Sequence, residues 1–438
     1  MRSRAIPSWL LPLLLFVGVF LVHNNSRNAV LTDSFWSVHV ALSILGERNT
    51  DIDEYLKTCA TPETYRLATV NGRQYSFFPI APAVLSLPIV ALLDGLSPFL
   101  WGYDLEDTLR RKPHWSASSQ RLIASLYTAL AALFVLLTAR RACGRDSVAL
   151  AAACIFAFGT SAWSVASRVL WQHGPSMAAV AATLYLLETG KRDTRRVPLV
   201  GLTLALAYVL RPVNCAAVVV FAGYVLWRHP RQVLACVLWS LPVIVPFFAH
   251  SLLLYGNPLP PYYAASRLDF DLPRVLLGMA GNLFSPSRGL FVFSPVLLFA
   301  LYGGVLKARE GRFDALDAAI PVACLLQLVI VSSTHDWYGG HCYGPRYTSD
   351  MLPLLVYWLI PVLDRLSARP GFAAPGRMAL GALFAAFLLV SVLIHYRGAN
   401  CPGTWDWNQV PADINDAPAR LWDWRDAQFL APCTSKLP

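Results

Sequence analysis

The chain alternates apolar runs with short arginine-rich segments, and this alternation constrains the fold more than any other feature. The runs lie at roughly 8–23, 119–138, 148–165, 169–188, 197–210, 213–227, 233–251, 289–306, 316–333, 351–364 and 378–396. Crossing a hydrocarbon core of about 30 Å takes about 20 apolar residues. Basic groups sit in alternate gaps. They are Arg2 and Arg4; Arg140, Arg141 and Arg145; Lys191, Arg192, Arg195 and Arg196; Arg228 and Arg231; Lys307, Arg309 and Arg312; and Arg365, Arg369 and Arg377. Short loops rich in lysine and arginine stay on the cytoplasmic side. The pattern predicts an all-α polytopic integral membrane protein with about eleven transmembrane helices. It sits in the cell inner (plasma) membrane, with the N-terminus cytoplasmic and the C-terminus outside. No clear small-residue cleavage site follows the first run, so it reads as a retained helix and not a signal peptide.

Composition agrees. Charged residues make up 14% of the 438, and mean hydropathy is +0.47, whereas a soluble domain carries about 25% charged residues. The net charge of +10 belongs largely to the cytoplasmic loops, so membrane lipid is the expected partner and nucleic acid is not.

Residues 1–396 form the expected membrane domain. Within it, 24–118 is a long first outer loop. Residues 397–438 form a polar, aromatic tail on the outer face, carrying Trp405-Asp406-Trp407 and Leu421-Trp422-Asp423-Trp424. The apolar run from Phe77 to Trp101 contains Pro79, Pro82, Pro88 and Pro98. A lipid-exposed segment must satisfy its backbone internally, so this run is expected to be juxtamembrane helices lying at the interface. Runs 197–210 and 213–227 are short and flanked by basic loops. They read as a hairpin with Arg211 at its tip, below the outer surface, where an arginine needs a polar cavity.

Of the nine cysteines, Cys143 is cytoplasmic, and Cys154, Cys215, Cys236 and Cys324 lie in helices. Cys59, Cys342, Cys401 and Cys433 fall outside, where three full disulfide pairings are open. No CxxC or similar metal-ligand spacing occurs.

Sorting polar residues by side locates the chemistry. The outer half holds a lone carboxylate near the membrane, Asp33, with Arg211, Arg288 and Arg346 near helix ends, and His39, His173, His335 and His341. Nothing in the cytoplasmic loops resembles a phosphate-binding Walker loop. A carboxylate base opposite arginines suits a reaction that expels phosphate. The base takes a proton from the acceptor, and the arginines grip the leaving group. Pro345 disfavours helix at Gly344, which places Arg346 in the first turn of the following span.

The sequence resembles the GT-C superfamily of membrane glycosyltransferases, near the protein mannosyltransferase and aminoarabinose transferase branch (glycosyltransferase family 39-like). The likeness rests on the long first outer loop, Tyr75-Ser76-Phe77-Phe78-Pro79, Trp171-Gln172-His173-Gly174-Pro175, Trp337-Tyr338-Gly339-Gly340 and Gly344-Pro345-Arg346-Tyr347. It implies a sugar donor on polyprenyl phosphate or pyrophosphate, a glycan, lipid or protein acceptor, and Asp33 as catalytic base. Arg346, Arg211 and Arg288 are the candidate donor phosphate-binding residues. His335, Asp336, Trp337, Tyr338 and His173 are the candidates for contacting sugar or acceptor. The family often has two adjacent acidic residues where this chain has Asp33-Ser34, so no cofactor is assigned, and a divalent metal stays open without the support of a second adjacent acidic residue.

Other readings compete for the same residues. Asp33 can cap a helix starting near Ser34, and Asp51, Asp53 and Glu54 read as a solvated cluster. Arg346 can snorkel as an interface anchor, and His173 can pack between helices. A transporter or flippase for a lipid-linked or anionic solute would use the same arginines without chemistry. Such proteins often show paired broken helices, and only one break, at Arg211-Pro212, is visible here.

Overall fold

A computed structural model describes residues 7–29, 31–59, 64–367 and 375–435. Arg2, Arg4 and Arg369 of the basic groups lie outside the described residues. Each expected span coincides with a helix or a run of shorter helical pieces, three of them over 289–306, and the protein is a multi-pass membrane protein with an all-α fold. Among the described residues, five helices are long and apolar enough to cross a bilayer unaided: Ala81–Phe99, Pro113–Cys143, Pro230–Tyr255, Ala315–Ser332 and Gly376–Asn400.

The bundle is built around the helix Ala117–Cys143. It packs against Leu10–Asn24, Asp146–Phe158, His173–Gly190 and Leu352–Ser367. The facing positions are small: Ala124, Ala129, Ala131, Ala132 and Ala139 on one side, and Ala149, Ala152, Ala153, Ala178 and Ala181 on the others, all buried. Lipid is as apolar as leucine, so helices in a membrane gain by close backbone approach, which small residues permit. The same logic fixes Gly303, where an added Cβ would stand 1.7 Å from the Trp358 carbonyl oxygen. That glycine lets Leu298–Arg309 lie directly on Leu352–Ser367.

The run expected to be broken by prolines is instead one continuous helix, Ala81–Trp101. Pro82 occupies the first turn, where its missing N–H has no partner to lose. Pro98 removes the bond to the Asp94 carbonyl, but the Ser97 hydroxyl donates to that oxygen at 2.8 Å and itself accepts from the Leu105 N–H at 2.9 Å. The helix packs mainly on Ser37–Gly46 of the same loop. A two-stranded hairpin, Leu67–Val70 with Arg73–Ser76, completes the segment.

The hairpin expected at 197–227 is present as Leu199–Leu210 and Cys215–Arg228, with an extended residue, Arg211, between them. The tail after Asn400 folds back over the loops. One disulfide, Cys401–Cys433, closes it, and Cys59 and Cys342 are free thiols. Gln428 stitches the tail to the 334–347 loop. Its amide donates to the Cys342 carbonyl at 2.8 Å and the Thr404 carbonyl at 3.0 Å, and its oxygen accepts from the Gly344 N–H at 3.0 Å.

Candidate active site

Asp33 lies between the first helix and Ser37–Gly46. That helix is capped at Trp36 without a side-chain bond, so Asp33 does not cap it. Upstream, Asn28 donates to the carbonyls of Gly398 at 2.7 Å and Cys401 at 3.2 Å, tying the segment to the end of the Pro375–Asn400 helix. Thr32 accepts from the Trp171 indole at 3.0 Å. These contacts hold the segment while the Asp33 carboxylate turns to Arg346, whose Nη1 lies 2.9 Å from Oδ2. The pair joins residues 313 positions apart.

Arg346 is 8% exposed and Asp33 20%. The guanidinium lies over the rings of Trp171 and Tyr347, 5.1 and 5.4 Å from their centroids. Burial opposes its charge most strongly, but the Asp33 carboxylate, Tyr347, Cys342 and Tyr262 together outweigh that and raise its pKa. Its Nε is buried without an acceptor, and a buried donor of this kind calls for a partner. The expectation that Arg346 opens the next helix is not met. Its own N–H bonds the Gly344 carbonyl at 2.9 Å, Ser349 caps its carbonyl at 2.6 Å, and helix begins only at Ser349. Gly339 and Gly340, both at positive φ (77° and 60°), turn the loop so that it wraps around the guanidinium.

The pair opens onto a cavity of about 600 Å³. The first loop contributes Thr32, Asp33, Tyr65, Arg66 and Phe78. The 252–288 segment contributes Tyr262 and Arg267. The loop before the Leu352–Ser367 helix contributes Asp336, His341, Arg346 and Tyr347, and the tail contributes Trp405, Asp406, Gln409 and Asn415. Two of its three guanidiniums, Arg66 and Arg267, were not singled out in the sequence. Arg267 stacks on Tyr262 at 4.4 Å and lies over Phe77 at 5.7 Å; Arg66 lies over Phe35 at 5.1 Å. A planar cation held on an aromatic face stays in place; the Arg66 Nε also donates to the Tyr65 hydroxyl at 2.9 Å, and the Arg267 Nη1 donates to the Tyr262 carbonyl at 3.3 Å. An arginine near a Pro-Pro-Tyr-Tyr run was the signal in the sequence for Arg267. Arg66 gave none.

Other candidates are placed elsewhere. Arg211 and Arg288 do not line the cavity. Arg211 is buried and paired with Asp350, which also accepts from Gln327 at 3.3 Å. Arg288 spends its guanidinium on neutral acceptors: the carbonyls of Tyr338 (2.8 Å), Ser287 (2.8 Å) and Gly340 (3.0 Å), and the side chains of Gln428 (2.7 Å) and Asn408 (2.9 Å). It fastens the 334–347 loop to the tail. Trp337 is buried against Gly281, where an added Cβ would meet its ring at 2.1 Å, and Tyr338 donates to Asn415 at 3.0 Å. His335 bonds Arg274 at 3.0 Å on the surface. His173 is buried, 5.6 Å from the Trp171 ring, in a small space behind Asp33. Only Asp336 of the five sugar or acceptor candidates faces the cavity. Replacing Arg211 by Met would leave Asp350 buried and unpaired, at an expected cost of about 3–5 kcal/mol. A thermal unfolding scan should show the lower midpoint, with donor affinity per folded molecule unchanged.

One of the Asp33 oxygens is committed to Arg346, Ser34 follows Asp33, and no group of three or more His, Cys, Asp or Glu among the described residues could hold a metal.

A second, apolar space of about 430 Å³ opens between Leu199–Leu210, Cys215–Arg228 and Val233–Tyr255, and Tyr208 lines it. The Tyr208 ring lies 5.7 Å from that of Tyr263, and Tyr263 lies 6.1 Å from Tyr262 of the polar cavity. Edge-to-face aromatics therefore link the two spaces.

No protein-family model matches the sequence, and no curated protein does. Solved structures do. The crystal structure of ArnT from Cupriavidus metallidurans in the apo state superposes with a TM-score of 0.57 at 14% identity, over 93% of this chain and 80% of that one. The same protein bound to undecaprenyl phosphate gives 0.53 at 15%, over 93% of this chain and 66% of that one. The archaeal oligosaccharyltransferase AglB from Archaeoglobus fulgidus, in complex with an inhibitory peptide and a dolichol-phosphate, gives 0.53 at 12%, over 100% of this chain and 61% of that one. This chain has the GT-C fold. Within the GT-C fold it spans about three-fifths of the length of AglB. The Asp33–Arg346 pair sits where the first long loop meets the loop before Leu352–Ser367.

Proposed function

We propose that this chain is a membrane glycosyltransferase. It moves a sugar from a polyprenyl phosphate or pyrophosphate donor to an acceptor hydroxyl on the outer face, with inversion. The observation that carries the reading is a carboxylate held against a buried arginine at the wall of a polar cavity rimmed by further arginines. The solved GT-C structures with undecaprenyl phosphate and dolichol-phosphate support the lipid-phosphate donor.

In this mechanism the Asp33 oxygen not bonded to Arg346 takes the acceptor's proton. The acceptor oxygen attacks the anomeric carbon, and the bond from that carbon to the phosphate oxygen breaks. Arg346, through its unpartnered Nε, meets the departing phosphate together with Arg66 and Arg267. Arg211 and Arg288 take holding roles in place of the phosphate contacts expected of them. The polyprenyl chain lies in the apolar space beside Tyr208, and Tyr262 and Tyr263 mark the passage of the head group to the cavity.

The test is incubation of the purified protein with a panel of polyprenyl-phosphate and polyprenyl-pyrophosphate sugars. One of them should be consumed with release of the lipid phosphate. Guanidiniums take the charge that a metal would otherwise meet, so the rate should be unchanged by EDTA. A rate abolished by EDTA and restored by a divalent ion would place a metal in the reaction.

A further inference from the structure

His341 also lines the 600 Å³ cavity. Its Nε2 lies 3.0 and 3.1 Å from the two carboxylate oxygens of Asp413 in the tail. Asp413 is itself fixed by the Asn415 N–H at 2.9 Å. Partial burial opposes the Asp413 charge, but the Asn415 N–H and His341 hold its carboxyl below the ordinary range. The Asn415 side-chain nitrogen lies 3.4 Å from the same Nε2. No described residue bonds Nδ1. The ring is thus anchored at Nε2 by an anion, and the residue lines the cavity that holds Asp33.

Resting on the function proposed above, we infer that His341, backed by Asp413, is the general acid for the departing lipid phosphate. The cavity would then hold two proton-handling groups with opposite tasks. Asp33 starts as an anion and accepts a proton; His341 starts as an imidazolium and gives one up. As the bond from the anomeric carbon to the phosphate oxygen breaks, its electron pair goes to that oxygen, which takes the Nδ1 proton. The products are the glycosylated acceptor and the singly protonated lipid phosphate. Water returns a proton to His341 and removes one from Asp33, so no other reagent is needed.

The other charged groups on the cavity are Asp33 and Arg66 of the first loop, Arg267 of the middle segment, Asp336 and Arg346 on the histidine's own loop, and Asp406 in the tail. Tyr65, Tyr262 and Tyr347 share its walls. The guanidiniums supply fixed positive charge but no transferable proton. His341 is the histidine of this cavity that can donate one.

The test is the pH dependence of kcat/KM with the donor found in the panel. The wild type should give a bell, with an alkaline limb set by loss of the His341 proton. His341→Gln should lower the rate by about 10²–10⁴-fold and abolish that limb while keeping the acid limb. Asp413→Asn, which leaves the imidazole without its counter-ion, should move the alkaline limb to lower pH. Unchanged limbs in both variants, at any rate, would reduce His341 to a structural group. Loss of the acid limb instead would make it the base and overturn the acid assignment. If the wild type consumes no donor at all, the proposed function itself fails, and that outcome is distinct from either.

Discussion

Asp33→Asn is expected to stay folded in the membrane and to lose transfer by about 10²–10⁴-fold, the usual contribution of a general base. Asparagine keeps the size of the side chain and can still accept from Arg346 Nη1 through its amide oxygen. The loop position should therefore survive, because it also depends on Asn28 and Thr32. What asparagine cannot do is take the acceptor's proton. Donor binding should change little, since the phosphate meets the arginines and not Asp33. Turnover and donor affinity measured side by side separate the two effects. A variant that binds donor and turns it over at the parent rate would remove Asp33 from the chemistry.

Arg346→Lys should insert normally and still pair with Asp33, yet lose about 1.5–3 kcal/mol of binding to the phosphate for each charge-assisted hydrogen bond it cannot make. That is about ten- to a hundredfold, in donor affinity, turnover or both. Lysine offers a point charge without the planar fork, and it cannot lie flat over Trp171 as the guanidinium does. Arg346→Ala should lose more, because the Asp33 carboxylate is then left without its counter-ion. An arginine serving only as an interface anchor would tolerate lysine, because both side chains snorkel. Isothermal titration with the donor, alongside initial rates, decides between the two roles. Parent-like values in Arg346→Lys would favour the anchor.

The helices were legible because apolar length and basic loops are local signals. Asp33 was legible for a similar reason: it is the lone carboxylate just beyond the first apolar run. Arg346 was legible through its Gly-Pro lead-in, although not its conformation. Pro345 stops helix before the arginine but does not start it there, and the Ser349 cap delays the start. Arg211 and Arg288 could not be placed from sequence because their partners are remote. Asp350 lies 139 positions from Arg211 and Gln428 lies 140 from Arg288. A buried arginine looks the same in sequence whether it faces a ligand or a carboxylate on another helix. At Pro98 of the continuous Ala81–Trp101 helix, one hydroxyl, Ser97, fills the place of the missing N–H. Proline counting does not register such a repair. The contribution of the tail to the cavity was likewise invisible, because its fold depends on Gln428 and on the single disulfide Cys401–Cys433, not on any of the three full pairings.

The two functions that use the same arginines differ in one observable: whether the bond to the sugar breaks. The most direct measurement is therefore made on the purified protein in liposomes loaded with a polyprenyl-phosphate sugar carrying label in both the sugar and the lipid. The expected result is separation of the two labels: sugar on the acceptor with inverted anomeric configuration, lipid phosphate free in the bilayer, and neither change with Asp33→Asn. Donor that crosses the bilayer with both labels still joined, equally well in the wild type and in Asp33→Asn, would contradict the glycosyltransferase reading and establish a flippase.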